Sequence, residues 1–146
     1  MKTLNFKNID MVPIANFLGN LTLKNKASRG RSKLIKMLSE KNDERNVEIQ
    51  EVIDKYAEKD EEGKQVSNEQ GNVQWAEGQA EEALAQITDI NSEVIGIDYV
   101  EYSEKMKNLH VGLEDIDEGL SNSEAVIYDL LMDQLEQSEK TESEGN

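Results

Sequence analysis

A chain of 146 residues with no cysteine fits one domain of ordinary size and excludes disulfides, thiolate metal sites and cysteine nucleophiles. Leu, Ile, Val and Phe make up 35 residues, about 24%, above the roughly 20% below which a strongly charged chain reads as disordered, so a modest core is expected. The net charge of −15 is unevenly laid out: residues 1–46 hold ten Lys and Arg against four Asp and Glu, and residues 47–146 hold six against twenty-seven, a field that bears on association more than on fold.

Thr3, Leu4, Asn5 and Phe6 alternate polar with apolar and predict a short strand. A short helix is expected over 10–19, with Asp10 as cap, Pro13 in the first turn, Gly19 at the stop, and Ile14, Phe17 and Leu18 as core. Lys24, Lys26, Arg29, Arg31, Lys33 and Lys36 then form a basic stretch, read as a loop feeding a long helix over 32–58 with Ser28 or Ser32 as N-cap. Along that helix Ile35, Leu38, Asn42, Arg45, Ile49, Val52 and Tyr56 follow steps of three and four. Two readings compete: two separate core patches, at 34–38 and 49–56, or a pairing seam in which Asn42 and Arg45 set register.

Residues 58–72 are rich in turn formers and predict a loop or small exposed hairpin. A second helix is expected over 74–91, with Ala80, Ala83, Leu84 and Ile87 on one side, then a strand over 93–97. A third helix, over 99–118, carries Met106, Leu109, Leu113 and Ile116; Gly112 weakens it by about 1 kcal/mol relative to Ala. Ser121 and Glu124 match a capping box that opens a last helix over 123–137, with Val126, Ile127, Leu130, Leu131 and Leu135 inward. Residues 138–146 are expected to form a disordered acidic tail, and no internal repeat stands out. The fold expected is mainly α, of the α+β class: one helical domain over 1–137 with one long helix and one or two short strands, basic over 1–46 and acidic over 47–137.

Enzyme signatures are absent: there is no phosphate-cradling glycine loop, no Gly-x-Ser-x-Gly and no His-Glu-x-x-His. The single histidine, His110, lies in a helical pattern and reads as structural. Asp115, Asp117 and Gly119 resemble part of a calcium loop but lack its third acidic ligand and the bidentate Glu, since Val126 occupies the twelfth position. No enzymatic activity, cofactor or metal is therefore expected. Two carboxylate rows, Glu44, Glu48 and Glu51 and then Asp129, Asp133 and Glu136, recur at helical spacing, either as solvated surface or as a face that occupies a partner's basic site in the manner of nucleic-acid phosphates. Arg29, Arg31 and Lys33 are candidate partner contacts. No aromatic residue interleaves with the basic stretch and the acidic section would repel nucleic acid, so pairing of that stretch with acidic helices is expected, with no direct nucleic-acid contact.

Phe6-Lys7-Asn8, the run from Val12 to Leu18, the run from Leu23 to Lys33, the run from Tyr56 to Gly63 and the run from Ala125 to Leu131 resemble the pattern of a family of small uncharacterised proteins of phages and prophages of Gram-positive bacteria. That resemblance implies synthesis in the host bacterial cytoplasm, from a region near tail and lysis genes, and brings no catalytic residues. Together with the charge split it leads to the expectation of a non-enzymatic binding factor that inhibits or redirects a host protein, of defence or of nucleic-acid binding, through its acidic surface. The alternative is a virion or tail-assembly component or chaperone. Its partner is expected to be a host or phage protein, with homodimerisation suggested by the long helix. No apolar run approaches the ~20 residues that cross a bilayer and no signal peptide follows Met1, so no membrane partner is expected.

Overall fold

The computed structural model describes the backbone of residues 2–144 and the side chains of residues 2–140. The elements run β1 (Thr3–Lys7), a 3-10 turn, α1 (Met11–Gly19), α2 (Asn25–Tyr56), α3 (Ala80–Ser92), β2 (Val94–Asp98), a second 3-10 turn (Val100–Tyr102), α4 (Ser103–Glu114) and α5 (Asn122–Glu144). The expected class is present: a mainly helical α+β fold with one long helix and a two-stranded sheet. The chain divides into two compact units, residues 1–42 with 94–146 and residues 43–93. Each unit has its own core, and α2 contributes to both.

In the first unit, β1 and β2 pair antiparallel, with Leu4 opposite Ile97 and Phe6 opposite Ile95. The period of two puts Leu4, Phe6 and Ile97 on the buried face, where they meet Ile14, Leu18, Leu34, Leu38, Met106, Leu109, Leu113, Leu131 and Leu135. Asp10 makes no side-chain cap for α1, because a 3-10 turn at Asn8–Asp10 leads straight into the helix. The Ser121 capping box forms as expected: Glu124 accepts from the Ser121 backbone N–H at 3.0 Å, and Ser121 Oγ accepts from the Glu124 N–H at 3.3 Å.

Tertiary anchors move three helix ends away from the places local propensity suggests. The basic stretch is the first part of α2, not a loop. Ala27, Gly30 and Leu34 are buried on one side of it, and the Arg31 guanidinium donates to the carbonyls of Leu18, at 3.3 Å, and Leu21. A Cβ on Gly30 would stand 2.2 Å from the Lys105 carbonyl oxygen, and one on Gly112 would stand 2.4 Å from Ala27 Cβ. The two glycines therefore let α2 and α4 approach closely, Gly30 against the Lys105 backbone and Gly112 against the Ala27 methyl, which outweighs their poor helix propensity. α4 ends at Glu114, four residues earlier than expected. α5 continues through Glu144, where a tail from residue 138 was expected. Ser138 is buried with its hydroxyl 2.5 Å from the Tyr99 hydroxyl, and Glu139 Oε2 lies 2.9 Å from His110 Nδ1, so tertiary contacts hold that turn. The remainder of the expected tail, 145–146, lies outside the described residues. Val126 and Leu130, expected inward, are 60% and 37% exposed, and the buried stripe of α5 is Leu131, Met132, Leu135 and Ser138.

In the second unit Val52 and Tyr56 pack with Ala83, and Trp75, Ile87 and Ile90 cover them. This fits two core patches along α2 rather than a continuous seam. Arg45 donates from Nε to Asn91 Oδ1 of α3 at 2.8 Å, so its polar position is used within the chain. α3 starts at Ala80, later than the expected 74, and Leu84 is 52% exposed. Residues 57–76 form a small meander through bridges at Ala57 with Trp75, Lys59 with Gln65 and Ser67 with Val73. It contains a repeat that the residue types disguise. Asp60 Oδ1 accepts from the N–H groups of Glu62 and Lys64, and eight residues on Asn68 Oδ1 accepts from those of Gln70 and Asn72. Each turn closes on a glycine with positive φ, Gly63 at 82° and Gly71 at 80°.

Candidate functional site

The closest thing to a built site is a shallow groove of about 320 Å³ in the first unit, lined by Ser28, Arg29, Ser32, Lys33, Lys36 and Lys105. Arg29, Lys33 and Lys36 stand four and three residues apart, which places them on one face of α2. Lys105 comes from α4, brought alongside by the absent side chain of Gly30. Four cations and two hydroxyl groups therefore converge with no carboxylate in the lining. Among the described residues Arg29, Lys36 and Lys105 form no ion pair.

Lys33 lies 4.2 Å from the centroid of the Tyr102 ring. This supplies the aromatic neighbour that the linear sequence lacks, contributed from 69 residues further along the chain. Arg31 faces the other way and holds the floor of the site: besides its two carbonyl contacts, its Nη2 donates to Ser28 Oγ at 2.8 Å. With its oxygen engaged as acceptor, Ser28 keeps its O–H proton to donate to a ligand. Of the three basic candidates, Arg29 and Lys33 thus line the groove, whereas Arg31 is a structural brace. Sequence reasoning missed Lys105 and Tyr102; the one signal for them was Gly112 inside the expected helix over 99–118, since a glycine there marks close backbone approach, whereas Gly30 lay in a stretch read as a loop.

The adjoining groove shares Lys33 and Lys36 and adds Glu40 and Asp98 with Lys41 and Tyr102, so carboxylates border the cations on that side. The cationic patch is therefore bounded. Elsewhere in the same unit, Asp129, Asp133 and Glu136 are all exposed along one face of α5, and among the described residues none of them forms an ion pair. Their field reaches the neighbouring Tyr128, whose hydroxyl donates to the Leu113 carbonyl at 3.0 Å. Burial, followed by the charges of Glu114, Asp129 and Glu136, raises that phenol above its ordinary pKa. Glu44, Glu48 and Glu51 are likewise exposed on α2, in the second unit.

His110 is buried on α4 between two carboxylates, with Nε2 3.2 Å from Glu114 Oε1 but not aligned for a hydrogen bond, and Nδ1 beside Glu139. It ties α4 to α5. Asp115 and Asp117 line an open groove with Thr22 and Lys24, and among the described residues no three His, Asp or Glu are gathered as a metal would need. No helix among the described residues is long and apolar enough to cross a membrane.

No curated protein matches the chain, and no solved structure matches it. A family described as "Protein of unknown function (DUF1617)" matches residues 2–142, nearly the whole length, and the chain belongs to that family.

Proposed function

We propose that this member of the DUF1617 family is a non-enzymatic binding factor, made by a phage or prophage in the host cytoplasm, that occupies a basic surface of a host protein through its acidic α5 face. The observation that carries the reading is the exposed row of Asp129, Asp133 and Glu136, unpaired among the described residues. An unneutralised row of this kind raises the encounter rate with a cationic partner and fixes its orientation more than it adds affinity. A host nucleic-acid-binding or defence protein offers such a partner, because its basic groove is shaped for phosphates.

The test is capture of the tagged chain's partner from infected host lysate at low and at high salt, with the wild type beside an Asp129→Asn, Asp133→Asn, Glu136→Gln variant. A host protein held at low salt, released at high salt and lost from the variant is the expected result. Recovery of virion or tail proteins in its place, with the chain present in purified particles, overturns the host-directed reading in favour of an assembly role.

A further inference from the structure

The cationic groove between α2 and α4 is used by nothing in the reading above. We infer that it is a second binding site, which holds the phosphate backbone of nucleic acid without reading bases.

Three observations carry this inference. The lining consists of Arg29, Lys33, Lys36 and Lys105 with the hydroxyls of Ser28 and Ser32, and it includes no aliphatic side chain and no carboxylate. The interface energy of a protein partner concentrates in desolvated anchors, and this lining offers an apolar anchor no aliphatic pocket. A phosphate backbone needs only charge and hydrogen-bond donors. The second observation is spacing. Seven residues of helix separate Arg29 from Lys36, a rise of about 10 Å, so the cations at the two ends of the row can meet different phosphates of one strand. The third is the Tyr102 ring, which lines the adjoining groove and carries the Lys33 ammonium over one face, so that its other face is the one a base of a bound single strand can lie against.

Repulsion from the acidic section was the reason to expect no direct nucleic-acid contact, and its range limits its force. At physiological ionic strength exposed charges are screened over about 8 Å, so carboxylates beyond that range act weakly on a strand in the groove, and the near ones, Glu40 and Asp98, line the adjoining groove beside Lys33, Lys36 and Lys41. Arg31 acts here as a positioning residue by fixing Ser28. Lys105 is the diagnostic contact, since it comes from a different helix and its truncation leaves α2 untouched.

Fluorescence anisotropy of a labelled mixed-sequence oligonucleotide, single-stranded and as a duplex, tests the inference at low salt and at fourfold higher salt. With four phosphates neutralised on a single strand, log K falls with log salt at a slope of about −2.8, so affinity drops about 50-fold over that range. Lys105→Gln lowers the slope by about 0.7, and the Arg29→Gln, Lys33→Gln, Lys36→Gln variant removes most of it. Circular dichroism checks that each variant is folded; if the triple variant is not, Lys105→Gln decides alone. The acidic-face variant of α5 keeps oligonucleotide binding, so the two sites fail or succeed separately. No binding at low salt overturns the inference, as does a salt slope unchanged in Lys105→Gln. Binding of a polyglutamate peptide with no binding of either oligonucleotide also overturns it and assigns the groove to an acidic protein.

Discussion

Ser121 and Glu124 show how a pair of side chains turns a loop into the start of a 23-residue helix. Each satisfies a donor that the helix end would leave orphaned. The Glu124 carboxyl is held below its ordinary pKa first by the Ser121 backbone N–H and then by the Ser121 hydroxyl. A carboxylate with a lowered folded pKa stabilises the fold above its unfolded pKa, and that contribution disappears as pH falls through the folded value. The melting-temperature gap between wild type and Glu124→Gln should therefore be full at neutral pH, hold until pH nears the ordinary glutamate value of about 4.3, and shrink below it. A gap that stays constant below that value contradicts the assignment. Ser121→Ala removes the other half of the box and should cost about 1 kcal/mol in denaturant unfolding. At this scale the sequence was fully readable, because a capping box is local: its four positions contain all of its chemistry. Arg31 is the opposite case. Nothing in its neighbours says that it will brace the end of α1 while Arg29, two residues away, faces solvent.

The crossing of α2 with α4 is where local propensity points the wrong way. Gly30 and Gly112 each lower helix stability by about 1 kcal/mol against Ala, so replacing either by Ala would be expected from propensity to stabilise the protein. The packing predicts the reverse. An added Cβ at Gly30 meets the Lys105 backbone oxygen at 2.2 Å, and one at Gly112 meets Ala27 Cβ at 2.4 Å, both too close without displacement of a helix. Gly30→Ala should destabilise by about 1–3 kcal/mol, as overpacking does, and shift the amide resonances of α4 around Lys105. An unchanged or raised denaturation midpoint would show that the helices do not touch there. The same crossing explains why the basic stretch read as a loop. Its charges, serines and glycine are poor helix signals one by one, and only the buried stripe of Ala27, Gly30 and Leu34 against α4 makes them a helix. Strands were easier to read, since period two and short length are visible locally; their pairing across some ninety residues was not. The long α2 itself and the two apolar patches on it were legible, whereas the shared groove was not, because Lys105, one of its six lining residues, comes from a helix in the acidic section.

At the scale of the molecule the two cores differ greatly in size, with seventeen buried residues among those described in the first and three, Val52, Tyr56 and Ala83, in the second. Burial of apolar area is the main force opposing conformational entropy, so the second unit should open at lower free energy than the first. α2 belongs to both, which makes it an internal gauge. Its residues Leu34 and Leu38 are buried in the large core, and from Ser39 to Glu48 no apolar side chain but the exposed Val47 interrupts the polar run. The fourteen residues of α2 that belong to the second unit, 43–56, are marginal as a helix in water without tertiary support. Hydrogen exchange followed amide by amide should therefore show a step within one continuous helix, high protection through Leu38 and lower protection from about Ile49 onward. The amides of Val66 and Gln74, which bond to the carbonyls of Glu58 and Val66, should exchange with the lower group. Uniform protection along α2 would mean that the small core is held by more than Val52, Tyr56 and Ala83. A step would assign the two acidic rows to different regimes: Asp129, Asp133 and Glu136 on a face fixed by the large core, and Glu44, Glu48 and Glu51 on a segment that opens on its own. Only the former row would then meet a partner without an ordering cost, which is the physical reason to expect the α5 substitutions to weaken docking more than matched changes on α2.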